Sequence, residues 1–134
     1  MDQAVSPWAR YARSLLRIVA GFTFILHGFQ KFGYLGGLGG HAAMPWSMLW
    51  IACVLELPGG LLMMLGLWTR PVAFILCGEM AVAYFRTHAP RGFWPLLNGG
   101  EITVLYCFLF LYLFTAGAGS WSLDYLLRKN KRGD

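Results

Sequence analysis

Four apolar stretches organise the chain: roughly Ser14–Phe32, Met48–Trp68, Arg70–Phe85 and Leu97–Gly117. A helix needs about 20 mostly apolar residues to cross a bilayer. The third stretch reaches that length only by running on to His88. The segments between them are short and rich in Gly, Pro and Trp. The pattern predicts an all-α membrane protein, an antiparallel bundle of four transmembrane helices over 14–32, 48–68, 70–88 and 97–117. All four belong to a single membrane domain covering residues 1–134. The first stretch does not read as a signal peptide. Its apolar run is too long, and Lys31 with a Gly-rich loop follows where a small-residue cleavage site would stand.

Local signals refine each helix. Residues 1–13 form a short lead with an amphipathic turn near Trp8. The segment Tyr34–Met44, with its glycines, reads as a flexible loop, and Pro45 and Trp46 restart the chain. Pro58 lies inside the second helix; it removes one backbone hydrogen bond and crowds the carbonyl of Val54, so a kink is expected there. Gly59 and Gly60 allow a neighbouring helix to come close. Thr69 and Pro71 suit a helix start, with Thr69 as the cap. So short a turn makes the second and third helices a hairpin. Asn98, with Glu101 three residues on, resembles a capping box opening the fourth helix. After Gly117, the run Ser120–Leu127 predicts a short interfacial helix capped by serine and anchored by Trp121 and Tyr125. Residues 128–134 read as a disordered tail.

Composition sharpens this picture. Hydrophobic residues make up 57% of the 134 and charged residues 13%; soluble domains carry about 25% charged residues. All six tryptophans, Trp8, Trp46, Trp50, Trp68, Trp94 and Trp121, fall at or near the ends of the stretches, where indoles prefer the headgroup interface. Arg10, Arg13, Arg17, Arg70, Arg128, Lys129, Lys131 and Arg132 lie on one side. Lys31, Arg86 and Arg91 lie on the other. The excess puts both termini in the cytoplasm. The net charge of +5 is then topogenic, and the basic tail reads as a contact for anionic headgroups, with no nucleic-acid partner expected. Cys53, Cys77 and Cys107 fall one per span with no Cys-x-x-Cys, and read as small buried hydrophobes.

The candidate chemistry lies in ionisable groups at membrane depth. Glu56 and Glu79 sit mid-way along the second and third stretches, where a charge costs about 2.5–3.5 kcal/mol on insertion scales. Structural polar pairs in membranes average only about 0.6 kcal/mol, a weak reason to accept that cost. His27 and Lys31 share a face at the outer end of helix 1. Glu79, Ala83 and Arg86 form a stripe on helix 3, with His88 half a turn on, and Glu101 opens helix 4. The simplest assembly is an outward-facing pocket lined by His27, Lys31, Glu56, Glu79, Arg86, His88 and Glu101. The plainer readings are a packing pair for the two acids, snorkelling for Lys31, a helix cap for Glu101 and interfacial positions for Arg86 and His88. On the inner side Arg17 and Asp124 are expected to form a structural pair. No metal centre is expected: Glu-x-x-His pairs are missing, and His27 and His88 would be the only axial ligands for a b-type haem.

Taken together, these residues resemble the DoxX family. The resemblance rests on Arg17 near the start of helix 1 and on His27-Gly28-Phe29-Gln30-Lys31 at its end. It continues through Glu56, Gly60 and the exit Leu65-Gly66-Leu67-Trp68-Thr69-Arg70, then His88 and Glu101. It closes on Gly117-Ala118-Gly119 and Ser122-Leu123-Asp124, and so spans roughly residues 13–127. The family takes its name from a subunit associated with thiosulfate:quinone oxidoreduction. The resemblance therefore implies a four-helix protein of the bacterial plasma membrane, associated with redox complexes. The leading expectation is a redox-associated subunit whose pocket binds a small molecule such as a quinone headgroup, with a redox protein as partner. Its rivals are a transporter for a small solute or protons, and a non-catalytic assembly or anchoring subunit. Besides the lipid bilayer, a homodimer is compatible with so small a bundle.

Overall fold

The structure, a computed structural model, describes residues 6–133. Six α-helices follow one another: α1 (Ala9–Lys31), α2 (Met48–Leu65), α3 (Thr69–Ala83), α4 (Pro95–Asn98), α5 (Glu101–Ala116) and α6 (Leu123–Arg132). Short 3₁₀ turns occupy Gly37–Gly40 and Ala89–Arg91, and a π-helical turn occupies Tyr84–His88. Among the described residues there is no strand. The chain divides into two compact units. One comprises the described parts of Met1–Thr69 and Ala118–Asp134; the other is Arg70–Gly117.

In the first unit, α1 and α2 pack antiparallel at very short range. A Cβ placed on Gly21 would stand 2.6 Å from the Gly60 carbonyl oxygen, and one on Gly60 would stand 2.8 Å from that of Gly21. Only hydrogen fits at either position. Phe24, Cys53 and Met63 complete the buried seam. The outward face of α1 is inverted relative to a soluble helix. Leu15, Val19, Phe22, Leu26 and Phe29 recur at helical spacing and are exposed, whereas Ser14 and Arg17 are buried. A contiguous apolar face of that kind marks a membrane or partner surface. Both α1 and α2 are long and apolar enough to cross a bilayer, while the apolar α5 is shorter, at 16 residues. Pro58 lies within α2, which remains a single helical segment.

Several local expectations are corrected. The fourth apolar stretch begins with the four-residue α4, which ends at Gly99 in the left-handed region, φ 73°, and α5 starts at Glu101. Asn98 therefore caps the Gly99–Gly100 turn through Gly100 N–H, 2.8 Å, and makes no capping box with Glu101. Helix α3 gives way to the π turn, in which the Ala89 N–H bonds back to the Tyr84 carbonyl. The expected C-terminal helix is present, with Ser122 Oγ accepting from Tyr125 N–H at 3.2 Å. It does not stop at Leu127 but runs to Arg132, since Arg, Lys and Leu all favour helix. Residues 1–5 of the expected lead and Asp134 of the expected tail lie outside the described residues.

Candidate functional site

Two clusters of charge sit at opposite ends of the α1–α2 pair. At the Lys31 end, the Gly28 backbone and the Leu57 side chain are so close that a Cβ on Gly28 would meet Leu57 Cγ at 2.8 Å. Cys53 Sγ donates to the Gly28 carbonyl, 3.3 Å. This approach sets the last turn of α1 opposite the middle of α2. Lys31 Nζ then reaches Glu56 Oε1 at 2.5 Å. Glu56 is 1% exposed, and its second oxygen, Oε2, is buried with no hydrogen-bond partner among the described residues. The Lys31 side chain keeps 23% of its surface open. An ammonium has three donors; here one is engaged. His27 lies one turn before Lys31, edge-on to Phe24 with ring centroids 6.5 Å apart, and within electrostatic range of Lys31 and Gln30.

At the Arg17 end, the guanidinium is fully buried and is taken up by backbone carbonyls. Its Nε donates to Ala118 O at 2.9 Å, its Nη1 to Met64 O at 2.6 Å and to Met63 O, and its Nη2 to Trp121 O. Met63 and Met64 lie in the last turn of α2, where carbonyls lack helical partners and positive charge is favoured. Asp124 does the converse. Its two oxygens accept from Trp68 N–H at 2.8 Å and Thr69 N–H at 2.9 Å, the first amides of the turn into α3. Arg17 and Asp124 make no direct hydrogen-bonded ion pair among the described residues: each is bonded to backbone, and Asp124 acts on Arg17 as a nearby opposite charge. The expected Thr69 cap is corrected, because Asp124 caps this start while Thr69 Oγ1 is buried without a partner among the described residues. Gly66, φ 66°, is needed at this point, since a Cβ there would fall 2.8 Å from Arg17 Cζ.

The second unit holds the other expected residues. His88 Nδ1 lies 3.2 Å from the Asn98 carbonyl and Nε2 lies 3.4 Å from Thr103 Oγ1. With Nδ1–H as donor, Nε2 accepts the threonine hydroxyl. Asn98, buried, donates to Gly92 O (2.9 Å) and Tyr84 Oη (3.2 Å). This network staples the 84–100 segment around the π turn. Glu79 is half-buried on α3, whereas Arg86 and Glu101 are exposed. Of the seven residues assigned to one pocket, His27, Lys31 and Glu56 are thus brought together in the first unit. Thr103 and Tyr84, partners of His88, carried no pattern that singled them out, and Asn98 was marked only as a helix cap, although an Asn before Gly-Gly is also a turn signal. Cys77 and Cys107 also meet in this unit, Sγ to Sγ 3.7 Å.

A family model described as DoxX matches residues 12–89, more than half the chain. This chain belongs to the DoxX family. An uncharacterized protein of Haemophilus influenzae is 48% identical over 119 residues, covering 85% of this chain and 89% of that protein. The inner membrane protein YqjF of Escherichia coli is 33% identical over 118 residues, covering 84% and 89%. The putative oxidoreductase CatD of Bacillus subtilis is 27% identical over 121 residues, covering 88% of each. No solved structure matches the chain. The exposed apolar helix faces and these relatives agree on a membrane protein. The DoxX motif residues quoted above now divide by physical role. Arg17, Gly66, Thr69, Ala118 and Asp124 build the backbone-bonded end, and His27, Gly28, Lys31 and Glu56 build the other.

Proposed function

We propose that this DoxX protein is a redox-associated subunit of the bacterial plasma membrane whose Lys31–Glu56 site, with His27, binds a small molecule of the quinone/quinol class. The third and fourth spans are α3 with its π turn and α5, both termini are cytoplasmic, and the Lys31 end of α1 faces outward. The observation that carries the reading is Glu56 Oε2, a buried carboxylate oxygen left over after its partner oxygen has taken Lys31. A buried acceptor without a partner is expensive, and a bound hydroxyl would relieve it. The site is two-sided. Free donors on Lys31 Nζ suit a quinone carbonyl, and Glu56 Oε2 suits a quinol hydroxyl. Proton exchange would run through the carboxylate, with His27 as a second base. The name of the Bacillus relative, a putative oxidoreductase, agrees in kind. The proposal assigns no ligand contact to Glu79, Arg86, His88 or Glu101.

Native mass spectrometry of the protein purified in mild detergent tests it. A lipid-soluble quinone is expected to co-purify with the wild type and to be lost from Glu56→Gln, which keeps the shape and removes the charge. Equal retention by both proteins would sink the site. Recovery of a protein partner with no small molecule would replace the reading with that of an assembly subunit.

A further inference from the structure

Two of the three cysteines occupy facing positions on neighbouring helices. Cys77 lies in the middle of α3 and Cys107 in the middle of α5. Their sulfurs are 3.7 Å apart, and Cys107 Sγ also donates to the Cys77 carbonyl at 3.5 Å. A disulfide requires about 2.05 Å between the sulfurs and about 3.5–4.5 Å between the Cβ atoms. Thiols in contact across a helix pair are the starting arrangement from which that bond forms. Cys53 differs: it is 0% exposed and its thiol is spent on the Gly28 carbonyl. Cys77 and Cys107 are both half-buried.

The residues flanking the pair are apolar and exposed. A Cβ on Gly78, beside Cys77, would meet nothing within 4 Å. Phe74 and Phe108, one turn before Cys77 and next to Cys107, are 62% and 64% exposed. A water-soluble thiol or disulfide would have to desolvate its charged groups to enter such surroundings; a lipid-soluble oxidant would not.

We infer that Cys77 and Cys107 form a reversible dithiol–disulfide couple that passes two electrons to a membrane-dissolved quinone. The two S–H bonds break and one S–S bond forms. Two electrons and two protons pass to the quinone, whose two carbonyl oxygens become the hydroxyls of the quinol. The couple does not rest on ligand binding at Lys31–Glu56.

The test uses the full chain in lipid nanodiscs, reduced, freed of reductant and kept anaerobic. A short-chain benzoquinone is added, the remaining thiols are alkylated, and the peptides are mapped by mass spectrometry while quinol is read optically. The expected result is a Cys77–Cys107 cross-linked peptide, one quinol per cross-link, full alkylation of Cys53 and reversal by dithiothreitol. Cys77→Ala and Cys107→Ala are each expected to abolish the cross-link and the quinol. Alkylation of both thiols in the presence of quinone, or separate quinone adducts on each in place of a cross-link, would overturn the couple.

Discussion

The two ends of the α1–α2 pair use charge in opposite ways. At the Arg17 end each charged group is matched to backbone: four carbonyls around the guanidinium and two amides on Asp124. At the Lys31 end a single ion pair leaves a buried oxygen and two ammonium donors uncommitted. The first arrangement commits four guanidinium donors to carbonyls and both Asp124 oxygens to amides; the second leaves donors and an acceptor open on both partners of the pair. Buried ionisable residues within one small unit are therefore told apart by what remains after their protein contacts are counted, not by their burial, which is nearly the same for Arg17 and Glu56.

The strongest way to break the contrast is Arg17→Leu. It removes the guanidinium donors to Met63, Met64, Ala118 and Trp121, and hydrogen bonds to charged groups are worth about 1.5–3 kcal/mol each. Loss of more than about 3 kcal/mol is expected, read as a lower thermal transition in detergent and poor recovery of folded protein. Arg17→Lys should not restore it, because a single ammonium cannot reproduce the planar fork. A transition within a degree of the wild type would mean that these carbonyls are satisfied some other way.

Next in size is Lys31→Met, which strands the Glu56 carboxylate. Breaking a buried pair from one side costs up to about 3–5 kcal/mol, whereas replacing both partners by apolar groups is often neutral or stabilising. The double variant Lys31→Met/Glu56→Leu should thus unfold at or above the wild-type temperature while binding no quinone. A double variant less stable than Lys31→Met alone would turn the pair into a packing device and erase the difference between the two ends. The smallest expected effect is Asp124→Asn. One side-chain oxygen still accepts from a turn amide, so about 1 kcal/mol should be lost. Hydrogen exchange at Trp68 and Thr69 should rise, with no change in ligand retention.

The sequence is most legible where a single residue type is out of place. An arginine and a glutamate inside apolar stretches marked both charged clusters, and the helical spacing of His27 and Lys31 set them on one face. The α1–α2 register was foreshadowed by Gly59-Gly60, although the matching Gly21 and Gly28 gave no sign of which helix they would meet. Partners bonded through backbone were invisible. Composition names side chains, so Arg17 and Asp124 read as mates, while the carbonyls and amides that bond each of them went unseen. The tail beyond Leu127 looked disordered because basic residues carry no apolar signal, yet their helix propensity extends α6 by more than a turn. The cysteine pair escaped for a related reason: spacing along one helix says nothing about which residue of another helix faces it.

Asp124 has a further consequence, which lies in time. The turn it caps at Trp68 stands 56 residues earlier in the chain. At about 5–20 residues per second, translation leaves that turn uncapped for roughly 3–11 seconds. Throughout that interval Trp68, a non-glycine residue in the left-handed region at φ 50°, lacks the carboxylate that holds its amide. This turn of the first unit is therefore closed only once α6 has been made.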